Sequence, residues 1–153
     1  ISGIGGAYHL QQQCPGTSYV ILEMQDNFGG TWWTHKYPGI RSDSDLYTFG
    51  YRFKPWVGPP IATAREILDY MGEVIEEGGI GQHIRYGHTI TSAKWDSSSN
   101  RWTLEARTKD GSTARGEGSG IADTSKAEAR GQEKANAREA MPHKEATPGS
   151  TPK

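Results

Sequence analysis

A chain of 153 residues is long enough for one domain with a real core, although only 33% of it is hydrophobic. Its formal net charge of −1 offers no field to draw nucleic acid or an anionic membrane surface. A single cysteine, Cys14, excludes an intrachain disulfide and a cysteine zinc cage and suits a reducing, cytoplasmic setting. No apolar run approaches the ~20 residues of a membrane span, so membrane association is not expected. The start shows no charged leader, and it lacks Met. The chain is therefore expected to begin inside a larger protein.

"ISGIGGAYHLQQQ" has helical spacing, with Ile4, Ala7, Tyr8 and Leu10 near one face, and Cys14-Pro15-Gly16 stops it. Tyr19 to Leu22 follow as a short apolar run, the pattern of a strand buried on both faces of a parallel sheet. A glycine-rich turn, a helix and a buried strand make most of a βαβ unit, without its first strand. "NFGGTWWTHKYPGIRSD" then reads as a loop, and "YTFGYRFKPWVGPP" as irregular chain. "TAREILDYMGEVIEEGG" is the clearest helix. Thr63 and Glu66 form a capping box, Ile67, Leu68, Met71, Val74 and Ile75 make the apolar stripe, and Gly78-Gly79 end it.

Ile84–Tyr86 reads as a separate strand. Alternation over 89–107, with a turn at Asp96 to Asn100, predicts an antiparallel hairpin. From Gly116 on, the only large apolar residues are Ile121 and Met141. Such a segment cannot offset an ordering cost of roughly 1–2 kcal/mol per residue. The expected organisation is a folded domain over 1–108 and a low-complexity, disordered tail over 109–153, with transient helix between Lys126 and Met141.

Two places carry chemistry. Gly3-Ile4-Gly5-Gly6 is followed by Glu23, 20 residues after Gly3. A dinucleotide-binding turn needs glycines for the bend and for approach of the pyrophosphate, and an acid about 20 residues on for the ribose hydroxyls. Packing glycines and an ordinary strand-end charge would give the same letters. Gly29-Gly30, before Thr31-Trp32, would let backbone N–H groups approach a ligand that the tryptophans wall in. A surface turn with both tryptophans folded onto the core is the plainer alternative.

Glu23, Gly29-Gly30-Thr31-Trp32, Tyr37-Pro38-Gly39 and Asp43, taken together, resemble the FAD-binding half of the type I Baeyer–Villiger monooxygenases. The likeness is greatest to their mycobacterial ethionamide-activating branch. It covers residues 1 to about 108, and it would make Ile1-Ser2-Gly3 the end of a Gly-x-Gly-x-x-Gly turn.

The resemblance implies an α/β fold: an incomplete Rossmann-type FAD-binding domain, three-layered with a parallel sheet, carrying a small antiparallel hairpin or meander. It implies that Ser2 and Gly3 face the pyrophosphate and Glu23 holds the ribose. Gly30, Thr31 and Trp32 line the flavin, and Asp43, the catalytic candidate, sits near its ring. Arg41, Ser42 and Asp43 approach the NADPH, and Ile90 touches the adenine through its backbone. The implied chemistry is NADPH reduction of FAD, capture of O₂ as a flavin peroxide, and oxygen transfer to a ketone or a soft heteroatom.

The sequence departs from that family in lacking the second nucleotide domain, its linking fingerprint and the arginine expected to act beside Asp43. His35 takes no role. The chain alone is expected to be inactive. Alternatives are another two-nucleotide flavoprotein, such as an N-hydroxylating monooxygenase, and a non-catalytic docking fragment using the tryptophans and "KPWVGPP". His83 and His88 suggest no zinc site without a third ligand, so no metal is expected. Asp43 and Asp45 as an acid–base pair are weighed against ordinary solvated loop acids.

Overall fold

Helix α1 (Ser2–Gln13) forms where the spacing predicts it, and buries Ile4 and Ala7. These coordinates are a computed structural model in which residues 1–120 are described. The Cys14 N–H closes α1 on the Leu10 carbonyl at 2.8 Å, and the chain turns at Gly16 with φ +84°. Strand β1 (Ile21–Leu22) pairs in parallel with β2 (Ile84–Arg85), Ile21 opposite Ile84 and Leu22 opposite Arg85. Glu23 N–H to Arg85 O (3.0 Å) and His88 N–H to Glu23 O (2.9 Å) extend the ladder.

β1 is shorter than the strand expected over Tyr19–Leu22. It is also half-buried rather than covered on both faces, and Val20 is 52% exposed. The reason is that, among the described residues, β1 has a single neighbouring strand.

Two short helices interrupt the segment read as loop and irregular chain: α2 (Thr31–Thr34) and α3 (Leu46–Phe49). Asp45 caps α3, its carboxylate accepting from Thr48 N–H at 2.9 Å. Helix α4 (Ala64–Glu77) carries the predicted capping box, with Thr63 N–H to Glu66 Oε2 at 2.7 Å and Glu66 N–H to Thr63 Oγ1 at 3.3 Å. Its buried face is Ala64, Ile67, Tyr70, Met71 and Val74. Leu68 and Ile75, expected in the stripe, are only half-buried, and Tyr70 lies in it instead.

The core gathers Ile4 and Ala7 of α1, Leu46, Tyr51, this face of α4, and Ile80 and Ile84. Tyr70 does more than fill space. Its hydroxyl donates to Lys54 O at 2.6 Å and accepts from Tyr51 N–H at 2.8 Å, pinning an irregular stretch onto α4.

The second sheet is a meander, β3 (His88–Asp96), β4 (Arg101–Thr108) and β5 (Thr113–Gly118), antiparallel throughout. The hairpin β3–β4 is the predicted one, with Trp95 opposite Trp102. Asp96 shapes its turn by accepting from Ser98 N–H, Ser98 Oγ and Ser99 Oγ. The tail boundary at 109 needs correcting. Residues 109–112 turn, and Thr113–Gly118 pair with β4 through backbone groups, which a low-apolar sequence supplies as well as any other. In that turn the Thr108 hydroxyl, with the Ser112 N–H and hydroxyl, holds the Asp110 carboxyl down to about 2. The rest of the expected tail, including the helix between Lys126 and Met141, lies outside the described residues.

Candidate functional site

Glu23, half-buried, directly follows β1, and its carboxylate is oriented by Gln25 N–H, which donates to Oε1 at 2.8 Å. The first turn of α1 lies alongside. A Cβ built on Gly3 would sit 3.5 Å from Ile21 Cγ2, so glycine keeps helix and strand close without collision. Ser2 and Gly3 are solvent-exposed at the head of α1. Helix N-terminal N–H groups favour an anion, and a carboxylate accepts hydrogen bonds from a diol. Glu23 lies two residues along the chain from Ile21, the side chain that packs beside Gly3.

The two adjacent glycines differ in purpose. Gly29 is buried with φ +119°, and a side chain there would run into Leu68 of α4, so it is a packing glycine. Gly30 is exposed with φ +52°, and nothing lies within 4 Å of where a Cβ would stand. Its backbone is open to a ligand. The carbonyls of both start α2, accepting from Trp32, Trp33 and Thr34 N–H. Thr31 is exposed, while Trp32 packs against the core. Trp33 carries the Lys36 ammonium 4.0 Å above its ring.

Arg41 and Asp43 are exposed, and Ser42 between them is buried. The Ser42 hydroxyl accepts from Ala62 N–H at 3.1 Å, and Ser42 N–H donates to Ala62 O at 2.8 Å. That side chain is committed to joining the loop to the start of α4. Asp45 is occupied as the α3 cap, which removes it from an acid–base pair with Asp43.

Ile90 stands on β3, half-exposed, beside the register irregularity between Ile90 and Ser92. A shallow recess next to Glu23 is lined by Met24, Gln25, Asp26, Thr89, Arg107 and Lys109, none of them singled out from the sequence. Across it Lys109 pairs with Asp26 at 2.7 Å. No sequence signal links residues so far apart. His83 stacks on Tyr19, and His88 Nδ1 lies 2.7 Å from Tyr86 O. No group of three His, Cys, Asp or Glu that could hold a metal occurs among the described residues. Nor, among them, is any helix long and apolar enough to cross a membrane.

No family model matches the chain. Over 105 residues it is 53% identical to the FAD-containing monooxygenase EthA of Mycolicibacterium smegmatis, covering 68% of this chain and 21% of that protein. The chain is a homologue of the FAD-containing monooxygenases. Over 106 residues it is 47% identical to the probable FAD-binding monooxygenase AlmA of an Acinetobacter species, covering 69% of this chain and 21% of that one. A solved steroid monooxygenase bound to NADP matches with a TM-score of 0.61 and 31% identity, over 74% of this chain and 23% of that chain. The chain thus spans about a fifth of the length of the curated relatives it matches. Within the monooxygenase fold, α1 with the parallel β1–β2 pair is part of the Rossmann-type FAD domain. The strands β3–β5 are its antiparallel meander.

Proposed function

We propose that this chain supplies the adenosine and pyrophosphate end of the FAD site, and one wall of the flavin site, of an FAD- and NADPH-dependent monooxygenase. The observation that carries the reading is Glu23. It directly follows a parallel strand, is aimed by Gln25 N–H, and lies two residues from Ile21, which packs beside Gly3 in the exposed first turn of α1. A dinucleotide with a ribose diol and a pyrophosphate fits this donor and acceptor set. The 53% identity to an FAD-containing monooxygenase supports the same assignment.

Ser2 and Gly3 would bind the pyrophosphate through helix N–H groups, and Glu23 the ribose hydroxyls. The backbone near Ile90 would meet the adenine. Gly30 and Thr31 offer an open edge to the flavin, with Trp32 behind them against the core. Arg41 and Asp43 would face the ring and the nicotinamide of NADPH, with Ser42 holding both in place from behind. When bound, FAD supplies the chemistry: reduced by NADPH, it activates O₂ for transfer of one oxygen atom to a ketone or a soft heteroatom. The chain's own residues bind and orient, and we assign the isolated chain no turnover.

The test is FAD titration of the purified chain and of Glu23→Ala. Losing a charge-assisted hydrogen bond costs about 1.5–3 kcal/mol, or roughly 10- to 150-fold in affinity. Equal FAD affinity in the two proteins removes Glu23 from the site.

A further inference from the structure

Tyr51 is far from Ile1 in sequence, and its hydroxyl donates to Ile1 O at 2.8 Å. The same carbonyl accepts from Gly5 N–H at 3.0 Å, the first hydrogen bond of α1. The Tyr51 ring also lies over the helix start: a Cβ on Gly5 would sit 3.3 Å from Tyr51 Cε1. The tyrosine is itself fixed. It is buried, its ring stacks on Phe53 and Tyr70, and its N–H donates to the Tyr70 hydroxyl. A continuous link of hydrogen bonds therefore runs from α4 through Tyr70 and Tyr51 to the first turn of α1. Burial, with the neighbouring Tyr70 adding to it, pushes the Tyr51 phenol well above the ordinary tyrosine range. Its O–H stays a donor at any physiological pH.

We propose that Tyr51 is a positioning residue for pyrophosphate, fixing the first turn of α1 so that the Ser2 and Gly3 N–H groups point at one place. The proposal rests on the cofactor reading above. It adds that the aim of the turn is set from outside the helix. Ile1 caps α1 without a side-chain hydrogen bond, so the turn has no cap of its own to hold it. A polar side chain that only filled the core would leave ligand affinity alone, or would weaken all ligands together. A side chain that aims the phosphate turn affects only ligands carrying phosphate.

The experiment titrates the isotope-labelled full chain with ADP and with adenosine, following the amide resonances of the first turn of α1 and of Glu23. For Tyr51→Phe the ADP dissociation constant is expected to rise about five- to tenfold, the loss of one neutral hydrogen bond. The adenosine constant is expected to stay within about twofold. Gly5→Ala, which pushes the ring while keeping the hydroxyl, is expected to give the same selective loss. It serves as the second variant should Tyr51→Phe fold poorly.

Glu23→Ala separates the two layers of the argument, because it should weaken ADP and adenosine alike. If Glu23→Ala leaves adenosine unaffected, the ribose assignment falls while the Tyr51 comparison still stands to be judged. Unchanged ADP binding in both the Tyr51 and Gly5 variants, or parallel losses for ADP and adenosine, overturns the role of Tyr51. An ADP titration that moves no first-turn amide of the parent chain overturns both.

Discussion

Replacing Ser42 with alanine should destabilise the fold even though the residue sits in a loop between two exposed side chains. The Ser42 hydroxyl is the acceptor for Ala62 N–H, and Ala62 is fully buried at 0% exposure. Removing the hydroxyl leaves a buried donor without a partner and without access to water. That costs about 1–3 kcal/mol. The reciprocal bond, Ser42 N–H to Ala62 O, survives the change, so the loop stays attached and the loss is confined to one group.

In urea, where m for a small domain is about 1–3 kcal/mol per molar, a loss of about 2 kcal/mol lowers the midpoint by roughly 1 M at unchanged m. Asp43→Ala, one residue on and exposed, should stay within about 0.5 kcal/mol of the parent. Equilibrium unfolding followed by tryptophan fluorescence measures both. A Ser42→Ala midpoint indistinguishable from that of Asp43→Ala would refute the argument that this hydroxyl belongs to the scaffold.

Gly29→Ala should cost roughly 2–4 kcal/mol, from backbone strain at φ +119° plus displacement of Leu68, read as a fall in the thermal midpoint. Wild-type stability there would mean that the Gly29 turn relaxes freely. Hydrogen bonds from Thr63, backbone first and hydroxyl second, lower the pKa of Glu66. Its contribution is therefore present above the ordinary carboxylate pKa and is lost as pH falls through the depressed folded value. Glu66→Gln should flatten that acid-side loss, and parallel stability–pH curves for the two proteins would contradict it. Deleting residues 121–153, whose composition offers little to bury, should leave the urea midpoint almost unmoved. Deleting from Gly116 onward should lower it, because Gly116, Glu117 and Gly118 pair with Leu104, Thr103 and Trp102.

What the sequence showed depended on whether a local pattern had a local cause. The α4 capping box needs only residues three apart, and α1 and the β3–β4 hairpin follow from spacing, so all were legible. Strand β5 was not, because "TARGEG" has no apolar alternation and is held by its neighbour's backbone. Helix α2 has no polar cap at Gly30, and α3 hides its Asp45 cap among serines and aspartates. At the candidate site, the placement of Gly3 on α1 and of Glu23 at the end of the following apolar run was legible from spacing. The division of labour between Gly29 and Gly30 was not, since it depends on Leu68 of α4. The engagement of Ser42 with Ala62 and of Tyr51 with Ile1 joins distant residues, and no pattern in one chain announces such pairs.

The one-sided pairing of β1 bears on how copies of the chain meet. Among the described residues, the strand uses the hydrogen-bonding groups of one edge on β2 and has no strand on the other. Val20 lies half in solvent just before it. An unpaired edge is a template, and every copy carries the same one. Such an encounter is second order in protein, so dilution protects against it. Handling the chain is then a question of concentration and time. Lysine or proline on that edge is the natural means of blunting it.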